Sequence, residues 1–186
     1  MKNITWAIVF STLLVIGISC SRNEYGKESH TIPTLELLIS LADMPSGWQV
    51  EQEPQYLDKG YRFFAEEGAA IVFIADTTDR IATAYRVYRY ATVKAATKEF
   101  DIEFVHFATG SNDFIPDGWS SPSLYADASQ IGCTLHGSRM NCVWTARYDE
   151  YIVLFTTWIG PDAMALKDFE RLVIQSDKKI YERLNE

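Results

Sequence analysis

Histidine and cysteine are scarce in this chain of 186 residues, with three of each. The three His are scattered and neither Gly110-Ser111 nor Gly137-Ser138 has the context of a nucleophile elbow, so neither a Ser-His-Asp triad nor a dedicated zinc site is expected. The sequence also has no G-x-S-x-G, no H-E-x-x-H, no P-loop and no G-x-G-x-x-G, so the signatured hydrolase, metalloprotease and nucleotide-binding classes find no footing. Basic residues are in deficit: 17 Lys and Arg stand against 25 Asp and Glu, a net charge of −8. Binding a phosphate backbone needs clustered Lys and Arg, so no nucleic-acid partner is expected. There is no internal repeat and no low-complexity tract. A 47% hydrophobic share with 23% charged residues is that of a chain able to bury a core, not of a disordered one. The length suits a single domain.

What is present begins at the N-terminus. Lys2 is the first charge and Arg22 the next; Ile4 to Ile18 between them is almost wholly apolar. A run of 15 residues is shorter than the roughly 20 needed to span a bilayer, but it has the shape of a secretory signal. It ends in Gly17-Ile18-Ser19-Cys20. Here the chain resembles a bacterial lipoprotein signal peptide, in which a small residue precedes a Cys that is lipidated and becomes the mature N-terminus. Ser19 and Cys20 fit that pattern, while Gly17 stands where Leu is usual. The resemblance implies a signal over residues 1–19, a lipidated Cys20 with a polar tether over 20–31, and a globular domain over 32–186. It implies an extracytoplasmic protein held on a bacterial membrane by its acyl chains. Removing the first 19 residues takes away Lys2 and no acid, so the remainder is more acidic still. Such a surface is repelled by anionic lipid, and the anchor itself must hold it.

If Cys20 is an anchor, Cys133 and Cys142 remain, and an oxidising compartment favours their disulfide. Ile131, Cys133 and Leu135 alternate with polar or small neighbours, as do Met140, Cys142, Trp144 and Ala146 beyond Gly137-Ser138. Gly-Ser between two alternating runs predicts a type II′ hairpin turn. His136 then faces Arg139, Leu135 faces Met140, Cys133 faces Cys142, and Ile131 faces Trp144. Cys133 and Cys142 fall on a non-hydrogen-bonded pair, with Cα atoms expected roughly 4.5–5.5 Å apart, within disulfide reach. The rival is Cys133-x-x-His136 as half a metal site, but no second Cys or His pair accompanies it, and His30 and His106 are isolated. No metal or cofactor is expected.

Elsewhere, Thr34 to Leu41 predicts a short Thr-capped helix, stopped by Pro45 and Gly47. Trp48 to Val50 opens a strand and Tyr61 to Phe64 makes another. Ala69 to Ala75 is continuously apolar and predicts a strand covered on both faces. Ala82 to Tyr90 follows, with Tyr85, Val87 and Arg89 facing one way and Arg86, Tyr88 and Tyr90 the other. Thr92 caps a helix to about Ala108, with Val93, Ala96, Phe100, Phe104 and Phe107 at helical spacing. Thr109 to Pro122 is a long loop. Tyr151 to Ile159 predicts a second doubly covered strand. Gly160-Pro161-Asp162 starts a last helix with a stripe of Leu166, Phe169, Val173, Ile180 and Leu184. Hairpins dominate, so the expected class is α+β: a mainly antiparallel sheet with packed helices in a single domain. This rhythm, with the Leu41 to Trp48 stretch, resembles small exported proteins of the Mog1/PsbP-like and actinobacterial lipoprotein-sensor types. The resemblance implies the fold and carries no active-site motif.

Candidate chemistry is thin. Glu66-Glu67 and Asp149-Glu150 fall in predicted turns, where carboxylates are usually solvated. Ser111-Asn112-Asp113 and Asp76-Thr77-Thr78-Asp79 offer oxygen ligands but lack the spaced array of a calcium loop. Tyr88, Trp144, Phe155 and Trp158 are expected in the core. Phe114 and Trp119 flank Ile115 to Gly118 in the long loop, and exposed loop rings are where binding often sits. They form a possible binding loop, with packing back on the sheet as the other reading. The expectation is a membrane-anchored envelope lipoprotein acting as a non-enzymatic binding or accessory module, with a protein or small-molecule partner. The alternatives are a carrier of a small hydrophobic ligand and an exported carboxylate-dependent hydrolase.

Overall fold

The computed structural model describes residues 30–75, 81–104, 114–119 and 123–186. The lipoprotein-like segment with Cys20, the Asp76 to Asp79 stretch, His106 and the Ser111 to Asp113 stretch lie outside them.

Six antiparallel strands form one sheet: β1 (Trp48–Tyr56), β2 (Glu67–Ala75), β3 (Ala82–Arg89), β4 (Ala128–His136), β5 (Arg139–Tyr148) and β6 (Tyr151–Ile159), in the order β1-β2-β3-β6-β5-β4. Among the described residues two α-helices accompany it, α1 (Val93–Glu99) and α2 (Leu166–Leu184). This is the expected α+β class, weighted toward sheet.

Strand alternation sorts side chains onto two faces. The inner face carries Ile71 and Phe73, Tyr85 and Val87, Trp144, Val153 and Phe155, all buried. Helix α2 lies over it with Phe169, Leu172, Val173, Ile180 and Leu184, and the Leu37 to Ile39 segment packs in beside it. Buried Asp177 of α2 accepts from the Tyr148 hydroxyl at 2.6 Å, the Leu124 N–H at 2.7 Å and the Tyr125 N–H at 3.2 Å, fastening the approach to β4 onto this helix. The outer face carries Tyr88, Tyr90, Ile152, Leu154 and Val143, packed by Ala96 of α1 and by Phe100 and Phe104 of the π-helical turn (Phe100–Phe104) that continues it.

The hairpin follows the predicted register: Ile131 faces Trp144, Cys133 faces Cys142, Leu135 faces Met140 and His136 faces Arg139. Gly137 has φ +63° while Ser138 does not take a positive φ, which is the sign pattern of a type II′ turn. Cys133 and Cys142 are disulfide-bonded with Cα atoms 4.1 Å apart, closer than expected. Thr92 caps α1, its hydroxyl accepting from the Ala95 N–H at 3.1 Å.

Several expectations need correction. Thr34 to Leu41 is not a helix but two 3-10 turns (Thr34–Leu37 and Leu41–Asp43), and Thr34 is not a cap. Its N–H and hydroxyl donate instead to Glu67 at 2.6 and 2.9 Å, which ties the turn to the sheet. Tyr61 to Phe64 is not a strand: a 3-10 turn (Lys59–Tyr61) runs into Phe63 and Phe64 in the left-handed region. The last helix begins at Leu166, because Met164 first bridges back to Ile159. Asp162 pairs with Arg139 of β5. Glu67 opens β2 and is only about a quarter exposed, and Glu150 is 3% exposed, so neither is a solvated turn carboxylate. Glu150 takes the backbone N–H and the imidazole of His30, so His30 is not isolated. Finally, β2 is next to the edge strand and its outer residues Val72 and Ile74 are only half-buried, so it is not covered on both faces.

Candidate functional site

Among the described residues, the outer face is covered at one end only. Helix α1 and its π-helical extension sit over Tyr88, Tyr90 and Ile152. Beyond them the sheet floor is low, because its rows are built from small residues. One row runs Gln55, Ala70, Arg86, Leu154; the next runs Gln52, Val72, Ala84, Thr156, Val143. The alanines leave a trough between taller neighbours, an open groove of about 750 Å3.

The connection from β1 to β2 makes its side wall. The Arg62 guanidinium donates to the carbonyls of Leu57 at 2.5 Å and Glu66 at 2.7 Å, stapling this connection across its neck. The Leu57 N–H donates to the Gly68 carbonyl at 2.7 Å. A Cβ on Gly68 would stand 3.3 Å from both the Leu57 Cδ1 and a Tyr88 ring carbon, so only glycine lets this wall close against the floor without displacing one of them. Phe63 and Phe64 have φ of +46° and +63°, a conformation that costs bulky residues on the order of 1–3 kcal/mol each. The turn it creates sends consecutive rings in opposite directions. Phe63 points in, edge-on to Tyr88 at 5.6 Å and Phe104 at 5.4 Å, with its carbonyl held by the Tyr90 hydroxyl at 3.0 Å. Phe64 points out and is 90% exposed, near Tyr61 at 71%.

The groove chemistry is that of recognition. Its described lining offers rings (Tyr56, Tyr61, Phe63, Tyr88), amides (Gln52, Gln55, Asn141) and the Thr156 hydroxyl around an apolar floor. Asp58 is the one carboxylate in this lining and stands exposed at the rim; Arg86 is the one cation and sits half-buried in the floor. Among the described residues no carboxylate pairs with Arg86. The ion pairs of the sheet involve Arg89 with Glu67, Arg139 with Asp162 and Arg147 with Asp127. Burial pushes the Tyr88 hydroxyl up to about 12, opposed by the positive charge of Arg86 beside it. Tyr88 is therefore a neutral phenol at physiological pH and does not neutralise Arg86.

The residues singled out from sequence lie elsewhere. Cys133 and Cys142 are fully buried on the inner face. Trp119 packs at 5.5 Å on Phe169 of α2, and Phe114, 40% exposed, exchanges backbone hydrogen bonds with Cys133 at 3.0 and 2.9 Å. The structure thus joins Phe114 to the disulfide strand and sets Trp119 against the inner core, away from the groove. Cys20 lies outside the described residues. One further cluster, His30, Asp149 and Glu150, brings donor atoms within 4.8 Å of each other, but Glu150 is already engaged by His30.

Sequence reasoning missed the groove. The signal available was Arg86 on the same face as Tyr88, in register with Ala70 of a strand that reads as wholly apolar. A cation in the middle of such a face, with small residues beside it, marks a floor and not a core.

This arrangement defines an exposed-groove α+β domain. No family model matches the chain, and no curated protein matches its sequence. Among solved structures the chain is similar to the crystal structure of the extracellular domain of PknH from Mycobacterium tuberculosis, with a TM-score of 0.56 and 10% identity over 82% of this chain and 94% of that one. At that identity the likeness is one of fold.

Proposed function

We propose that this protein is an exported, membrane-anchored lipoprotein whose domain binds a small-molecule ligand in the outer-face groove, without catalysing its turnover. The groove carries the proposal. Its floor is a rigid sheet, its wall is fixed by Arg62 and Gly68, and its size falls within the roughly 300–1,000 Å3 of ligand pockets. Its lining supplies rings, amides and one guanidinium, which hold and orient a ligand. Export is supported by the disulfide, which persists in oxidising compartments, by the signal-like N-terminus, and by a fold shared with an extracellular domain. A hydrophobic carrier would call for an enclosed apolar cavity, whereas this groove is open and lined with amides as well as rings.

Two measurements test this. Radiolabelled palmitate fed to expressing cells should enter the wild-type chain and not Cys20→Ala; equal labelling, or none in either, removes the anchor. Native mass spectrometry of protein purified from its host should show a retained small molecule, lost in Val72→Trp, whose ring fills the trough. Retention in that variant places the ligand elsewhere.

A further inference from the structure

The groove holds a formal charge that no carboxylate among the described residues neutralises. Every other Arg on the strands has a carboxylate: Arg89 at 3.4 Å from Glu67, Arg147 at 3.1 Å from Asp127, and Arg139 beside Asp162. Arg86 has none among the described residues, although the chain carries eight more acids than bases. Its cross-strand neighbours are Ala70 and Leu154, neither of which can accept a hydrogen bond through its side chain. It is half-buried, so part of its hydration has already been given up. Keeping a partly desolvated guanidinium on an apolar floor costs stability that a neutral residue would spare. The planar fork of Arg also makes two parallel hydrogen bonds to an oxyanion, a geometry that Lys lacks.

We propose that the ligand of this groove is an organic anion with an apolar body, its charged head held by Arg86 and its body laid along the Val72, Val143 and Leu154 floor against the aromatic wall. The chemistry of the lining favours a single negative charge: one cation faces the head, and the remaining polar groups, Gln52, Gln55, Asn141 and Thr156, are neutral. Asp58 at the exposed rim disfavours a second negative group at that end. This inference rests on the groove being the binding site, and the test separates the two.

The probes are a matched pair: 8-anilinonaphthalene-1-sulfonate, an anion, and N-phenyl-1-naphthylamine, which has nearly the same rings and no charge. Each is titrated by fluorescence against the full domain, against Arg86→Gln, Arg86→Lys and Val72→Trp, with circular dichroism confirming each fold. The wild type should bind the sulfonate about tenfold or more tightly than the neutral probe, despite its net negative charge. Arg86→Gln should erase that preference, weakening the sulfonate far more than the neutral probe, while Arg86→Lys keeps part of it. Val72→Trp should weaken both. An equal affinity for the two probes in the wild type, or a preference that survives Arg86→Gln, overturns the anion proposal and leaves the groove standing if Val72→Trp still blocks binding. Binding of both probes unchanged in Val72→Trp, or no binding of either to the wild type, overturns the groove and the proposal together.

Discussion

The two faces of this sheet are built from the same strands and put to different uses. The inner face alternates large residues, Phe73, Tyr85, Trp144 and Phe155, and a long amphipathic helix seals it. The outer face has Ala70, Ala84 and Gly68 at corresponding places, and among the described residues only a short helix with a π-helical end covers part of it. Side-chain size at alternate positions therefore decides which face becomes core and which becomes a trough. The lesson is that burial of a strand on one side says little about the other.

The sharpest way to test this contrast is to remove matched bulk from each side. Val153→Ala on the inner face should cost about 2–4 kcal/mol in urea unfolding, because its side chain is fully buried in the inner core and leaves a void there. Val72→Ala on the outer face should cost about 1 kcal/mol, since that side chain already meets solvent. Equal costs would mean that the outer face is sealed in solution.

A second effect concerns the one tyrosine that joins the covered end of the outer face to the groove. The Tyr88 hydroxyl is raised from 10.0 to about 12 by burial. Below pH 10 it is protonated in folded and unfolded chains alike and adds no pH dependence. Between pH 10 and 12 the unfolded chain releases its proton while the folded chain retains it, so stability falls, by roughly 3 kcal/mol once pH passes the folded value. Tyr88→Phe should flatten that part of the alkaline stability curve; an unchanged slope would show that water already reaches the hydroxyl.

The smallest expected effect separates the two rings of the left-handed pair. Phe64 is exposed and strained, so Phe64→Gly should stabilise the fold by up to about 1 kcal/mol. Phe63→Gly relieves similar strain but removes a ring packed on Tyr88 and Phe104, and should destabilise. Destabilisation by both substitutions would place the Phe64 ring in a contact of its own.

What could be read from the sequence was local. The β4–β5 hairpin was legible to the residue, because Gly137, the alternation and the two cysteines each constrain the same register. Helix α1 was legible at its start, where Thr92 acts on residues three positions away. The start of α2 was not, because its position depends on Met164 bridging to β6. The left-handed turn at Phe63 and Phe64 was hidden, since neither residue advertises that conformation as Gly or Asn would. Glu150 looked solvated because its partner His30 is 120 residues distant in the chain. The groove was invisible for a related reason: it is defined by what α1 fails to cover, and no stretch of sequence records the reach of a distant helix.

The edge strand β1 shows how such a sheet can discourage edge-to-edge pairing. Its pairing with β2 shifts register between Val50 and Gln52 and again between Gln52 and Gln55, and Pro54 removes an amide donor. Glu51 and Glu53 add acidic side chains along the same exposed margin. A bulged, acidic, proline-broken edge offers no straight template to a second sheet. At this margin the sheet therefore ends in a strand that discourages a second sheet from adding to it, on the side that borders the groove.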